Sequence, residues 1–191
     1  MGTRVRRCRP PKTQSATTSA AAKLEPSDQG SGSGGEPTVV DTRRVTPDEH
    51  FELVKEKQEF KLYPAEECGY LRYFDVDEPR AGAEREVAEF GYGTECASIK
   101  PHIDITDDTD DLPVSLVDSP SASAKDCAEA IQHAPVNEPV VPTEQTNLCL
   151  VTSAENAQRE GTTRKVALIA VAGIGQDGLM TIELTTWAVP R

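Results

Sequence analysis

The chain has 191 residues, 37% hydrophobic and 27% charged, with 14 Pro, 13 Gly and a formal net charge of −12. Low apolar content with raised Pro and Gly predicts one packed domain of about 140–150 residues and an unpacked remainder. The average charge argues against general binding of nucleic acid or anionic membrane. No apolar segment is long enough to span a bilayer, and no secretory apolar segment follows Met1.

Residues 1–24 break that average. They hold Arg4, Arg6, Arg7, Arg9, Lys12 and Lys23 and no Asp or Glu. Three roles fit: a disordered basic arm that neutralises phosphates of RNA, an organelle-targeting segment, or a nuclear signal. Pro10-Pro11 opposes the amphipathic helix that import favours, which ranks the arm first, with Arg4, Arg6, Arg7, Arg9 and Lys12 as its nucleic-acid contacts. A solvated tail is the bland alternative. Residues 25–36 read as a flexible Gly/Ser linker. The domain organisation is therefore arm and linker over 1–36 and a β-sandwich over 37–191.

From Pro37 onward short apolar or β-branched runs recur between Gly and Pro turns. The expected strands are 38–40, 59–63, 70–76, 86–90, 97–105, 112–117, 138–141, 147–152, 166–172 and 180–189. This pattern predicts a mainly β chain, an antiparallel β-sandwich. Two short helices interrupt it. One is predicted after the capping-box pattern Thr46-Pro47-Asp48-Glu49, with Phe51 and Val54 on one face. The other runs from Ser123 to His133, with Ala124, Cys127, Ala128 and Ile131 as its apolar stripe.

The end of the chain is the strongest local signal. Val166 to Ala172 is continuously apolar, Gly173-Ile-Gly175-Gln-Asp-Gly178 is turn chemistry, and Leu179 to Val189 is β-rich. Gly173, Gly175 and Gly178 spell the dinucleotide-site pattern, yet no βαβ unit can follow, so a hairpin is expected. Trp187, the only Trp, is expected to anchor the last strand in the core or at a subunit contact.

Few residues suggest chemistry. Asp104, Asp107, Asp108, Asp110 and Asp111 crowd one loop, where a hard cation such as Ca²⁺ could neutralise them or solvent could bathe them. Tyr63, Tyr70, Tyr73, Phe74, Phe90 and Tyr92 are expected to pack in the sheets, since acidic neighbours oppose a nucleic-acid platform. Cys8, Cys68, Cys96, Cys127 and Cys149 have no metal-ligand spacing and read as reduced, buried thiols. No nucleophile elbow or phosphate loop is present, so a non-enzymatic role is expected.

The order of arm, linker and β domain resembles that of small icosahedral RNA-virus coat proteins. Ile103-Asp-Ile-Thr-Asp107-Asp-Thr-Asp-Asp111-Leu-Pro-Val-Ser is similar to the acidic loop of tombusvirus-like and sobemovirus-like coats. Arg164 to Gly173 resembles their penultimate strand, and Gly178 to Pro190 their closing strand, with Leu184 where Tyr is usual. The resemblance covers residues 100–191. It implies a jelly-roll-like coat subunit that self-assembles, with Ca²⁺ between subunits at Asp104, Asp107, Asp108 or Asp111, Trp187 at an interface and the arm on packaged RNA. The implied location is virion and host cytoplasm. The alternative is a non-enzymatic β-rich binding module with an organelle-targeting or nuclear-localising segment.

Overall fold

The computed structural model describes residues 44–96, 100–105, 112–136 and 138–190. The molecule divides into two units, Met1–Val39 and Val40–Arg191, and every described residue belongs to the second. The expected strand at 38–40 lies outside the described residues.

The first expected helix does not form. Glu49 does reach back to the Thr46 N–H (3.2 Å), but the Glu49 N–H closes a turn on the Thr46 carbonyl (3.3 Å). Strand β1, Glu52–Leu62, follows at once and pairs antiparallel with the last strand. Pro47 and an acidic first turn suit a tight turn as well as a helix start, and pairing along a whole strand outweighs three turns of weak helix.

The remaining elements are β2 Leu71–Asp75, β3 Arg80–Ala81, β4 Phe90–Thr94, β5 Pro101–Ile105, β6 Val114–Leu116, α1 Ala124–His133, β7 Asn147–Val151, α2 Ala154–Glu160, β8 Lys165–Ile174 and β9 Met180–Ala188. They make a five-stranded antiparallel sheet, order β1-β9-β8-β7-β6, and a four-stranded one, order β3-β2-β4-β5. The mainly β, two-sheet antiparallel architecture with two helices is thus as expected. Its connectivity is a meander: β6 to β9 lie side by side and β1 closes the sheet beyond β9.

The expected C-terminal hairpin is present. β8 and β9 pair from Lys165–Ala188 to Ile174–Met180, and the turn closes through Gly178 N–H to the Gly175 carbonyl (3.0 Å). Gly178 has φ 80°, which favours Gly. The glycines therefore serve a turn, and a strand follows them.

Two apolar clusters hold the domain. The larger lies between the sheets and includes Leu62, Phe74, Phe90, Tyr92, Ile103, Leu150, Ile169, Ile182 and Leu184. Phe74 stacks on Phe90 (5.1 Å) and meets Phe60 edge-on (5.2 Å). Each such side chain contributes about 1.5–3 kcal/mol on burial, so this layer dominates stability. The second cluster covers the outer face of β7 and β8 with α1, joining Cys127, Ala128 and Ile131 to Cys149, Val151, Val166 and Leu168. The expected stripe of α1 is buried there. Ser123 caps the helix and forms a capping box with Asp126.

Helix α2 was not anticipated. Ser153 caps its start and Gly161, at φ 68°, its end. The expected strand 86–90 is instead a 3₁₀ turn, Arg85–Val87, leading into β4. The expected strand 138–141 reduces to one bridge, Val140 to Ile103.

The edge strand β1 carries Glu52, Lys55, Glu56, Lys57, Glu59 and Lys61, and its register with β9 slips between Leu53 and Gln58. Lys57 has φ 45°. Alternating charge and a bulge are what keep an open sheet edge from pairing with another.

Candidate functional site

The strands give the sandwich two poles. β1 ends, β2 begins, β4 ends, β5 begins and β8 turns into β9 at one of them. This loop pole carries the connection 63–70 and the turn 175–179.

Its loops are braced. Cys68 is bonded to Cys96, which ties the β1–β2 connection to the segment after β4. The Gly69 N–H donates to the Thr94 carbonyl (2.8 Å) and the Tyr70 N–H to the Glu67 carbonyl (3.3 Å). A Cβ on Gly93 would land on the Tyr70 carbonyl, so only glycine lets that backbone sit there. Gly93→Ala is expected to destabilise by about 1–3 kcal/mol in urea unfolding, whereas Gly173→Ala, which meets nothing within 4 Å, stays near zero. The buried Tyr92 hydroxyl donates to the Gly178 carbonyl (2.7 Å), fixing the hairpin turn to sheet β3-β2-β4-β5.

Phe74, Phe90 and Tyr92 are buried as expected, but Tyr63 and Tyr70 are 52% and 62% exposed. They flank Glu66 and Glu67, which are also exposed. The expectation that these two tyrosines pack in the sheets is corrected: both lie on the connection that crosses between sheets, where no partner layer covers them.

The opposite pole holds a buried acid cluster that sequence reading missed. Asp75, Asp77 and Glu89 are all under 5% exposed. Glu89 accepts the Val76 N–H (2.7 Å) at Oε2, while its Oε1 is buried without a hydrogen-bond partner. Asp75 accepts the Glu78 N–H (2.8 Å) and faces the Arg80 guanidinium (3.0 Å). Lys165, at the start of β8, reaches Asp77 across the sandwich, donating to its carbonyl and facing its Oδ1 at 3.4 Å. The Thr152 hydroxyl accepts the Lys165 N–H (2.9 Å).

Burial controls these protons. It pushes Glu89 up to about 9, helped by the charges of Asp77, Asp75 and Glu160. It pushes Asp77 up to about 6 against the pull of Lys165. Asp75 and Glu160 are also raised, chiefly by burial. At neutral pH Glu89 is therefore protonated, and the Lys165–Asp77 pair staples the sheets. Two nearby Asp-Glu-rich stretches, 75–78 and 84–89, were the available signal. Charged residues in such runs ordinarily face solvent, which hid their burial.

The other expected site residues are placed less tellingly. Arg4, Arg6, Arg7, Arg9 and Lys12 lie outside the described residues, as do Asp107, Asp108 and Asp111. Asp104 sits near the end of β5 opposite Gly91, half-buried. Among the described residues no three His, Cys, Asp or Glu side chains form a group that could hold a metal ion. Trp187 pairs in register with Val166 and Leu53 and packs, half-buried, against the α1 cluster.

The cysteines depart from expectation. Besides Cys68–Cys96, Cys127 of α1 is bonded to Cys149 of β7. Widely spaced cysteines gave no pairing in sequence, because the fold brings together residues 28 and 22 positions apart. No described helix is long and apolar enough to cross a membrane.

By fold and site the domain is an antiparallel β-sandwich with a braced loop pole and a buried carboxylate pole. No protein-family model, curated protein or solved structure matches the chain.

Proposed function

We propose that this chain is a non-enzymatic binding module of an oxidising compartment, which acts by presenting its loop pole to a partner. One observation carries this reading: two exposed tyrosines sit on a connection that a disulfide locks to its neighbour. Tyrosine supplies large contact area at little entropic cost, and bracing reduces what binding must order. Disulfide bonding of four of the five cysteines supports the compartment, since such bonds rarely persist in the cytosol.

Tyrosine footprinting tests it. In the purified chain, Tyr63 and Tyr70 should nitrate fastest. In extract from the native cells the same two should be protected. Equal nitration in both settings would leave the pole without a partner and end the reading. Alkylation of the unreduced protein should modify Cys8 alone.

The second reading is a self-assembling coat subunit whose arm contacts packaged RNA. Its support is the order of basic segment, linker and antiparallel sandwich, together with a short helix after the acidic loop. Under this reading, deleting residues 2–24 flattens the salt dependence of RNA binding, by a log–log slope of at most about 4–5. Trp187 then lies at a subunit contact, and Ca²⁺ bound at Asp104 with Asp107, Asp108 or Asp111 promotes assembly. Electron microscopy finding monomers at every salt and Ca²⁺ level would dismiss it.

A further inference from the structure

We propose that the loop pole docks an arginine- or lysine-rich peptide segment, with Tyr63 and Tyr70 offering ring faces to its cations and Glu66 and Glu67 pairing with them. This rests on the binding-module reading and names the partner's chemistry.

Exposed tyrosines alone do not choose a partner, since single apolar groups on a surface are ordinary. The choice comes from what surrounds them. The connection 63–70 reads Tyr-Pro-Ala-Glu-Glu-Cys-Gly-Tyr, two carboxylates and no base between two aromatic rings. Asp177 adds a third exposed carboxylate from the neighbouring turn and Glu95 a fourth from the β4–β5 connection, against two nearby bases, Lys61 on β1 and Lys100 before β5. Tyr63 follows the last residue of β1 in one sheet and Tyr70 precedes β2 in the other. The two residues thus adjoin strands of different layers, which pack about 10 Å apart.

Cations are attracted to tyrosine faces by about 0.5–1 kcal/mol each at exposed sites, and exposed ion pairs add a few tenths more. Each term is small alone, but together they favour a multiply charged peptide. The wider field agrees. Residues 1–24 carry +6 of the net −12, which leaves −18 on the rest of the chain. Such a field steers cationic partners and repels anionic ones. The pole is also fixed before binding: Cys68–Cys96 and the glycine seat under Tyr70 hold the connection.

The test uses the full chain and a fluorescein-labelled synthetic peptide with the sequence of residues 2–14, carrying Cys8→Ser, read by fluorescence anisotropy. Four proteins are compared: wild type, Tyr63→Ser/Tyr70→Ser, Glu66→Gln/Glu67→Gln, and a control, Glu84→Gln/Glu155→Gln. The control removes the same charge from exposed sites away from the loop pole. At about 50 mM salt the two pole variants should bind roughly fivefold more weakly than wild type, and the control within about twofold. Thermal melts unchanged in all four exclude misfolding as the cause. Equal weakening in the control and Glu66→Gln/Glu67→Gln would mean that only the general field acts, and the proposal falls. It falls too if wild type ignores the peptide. If Tyr63 and Tyr70 are nonetheless protected in native extract, the module reading survives and only the cationic partner is lost.

Discussion

Glu89→Gln is expected to stabilise the protein strongly at pH 9 and hardly at all at pH 5. Burial holds the Glu89 carboxyl protonated up to about pH 9, against 4.5 for an ordinary glutamate. The folded state therefore binds one more proton than the unfolded chain between those values, and stability falls as pH rises through that window. The full separation corresponds to about 6 kcal/mol at 1.36 kcal/mol per pH unit, an upper bound because the pole can relax or admit water. A glutamine cannot ionise, so its variant should retain a few kcal/mol that the wild type loses. In thermal melts of a chain this size that is on the order of 5–10 °C. Asp77 shifts the same way, its proton leaving at about 6 rather than 3.8, so it too makes the fold lose stability as pH rises across that range. Equal melting shifts for Glu89→Gln at pH 5 and pH 9 would show that Glu89 is not held neutral. Glu155→Gln, on the exposed side of α2, should leave both melts unchanged.

Reduction of the disulfides should produce a loss of similar size. The bonds close loops of 28 and 22 residues. Chain entropy assigns each about 3–3.5 kcal/mol. The two bonds differ in what they hold. Cys127–Cys149 sits inside the cluster that seats α1 on β7 and β8, so Cys127→Ala/Cys149→Ala loses packing as well as the cross-link. Amide exchange in α1 should accelerate with it. Cys68→Ala/Cys96→Ala should leave α1 protected and loosen residues 63–70 instead. Urea midpoints that do not move when a phosphine reductant is added would refute the bracing role of both.

Periodicity carried the reading where burial on one face made it regular. The apolar run in β8, the turn glycines 173–178 and the stripe of α1 all announce themselves, because each element packs through a single repeating set. Element 46–62 misled for a physical reason: Thr46 to Glu49 satisfies its polar groups locally whether a helix or a strand follows. The strand wins through β9, a partner more than 100 residues away. Helix α2 was readable from Ser153 and Gly161, but its seven residues bury only Ala157 and show no stripe. The site was least legible. Glu89 looks like any surface glutamate until the Val76 amide and the sheets close over it. Tyr63 and Tyr70 look like core residues until the connection that bears them is seen to bridge two layers at their rim. Cysteine pairing depends wholly on which loops the sandwich sets beside each other.

Strand β1 has one more consequence. Its 11 residues run the length of the body, beginning beside the carboxylate pole and finishing at Leu62, next to Tyr63. Its bulges take up two residues, so it spans the eight steps of β9 from Met180 to Ala188, and at about 3.3 Å per step its ends are roughly 26 Å apart. The described chain therefore enters the sandwich at the pole opposite Tyr63 and Tyr70. Strand β1 thus works as a spacer, with the carboxylates at its first residues and the tyrosines just past its last.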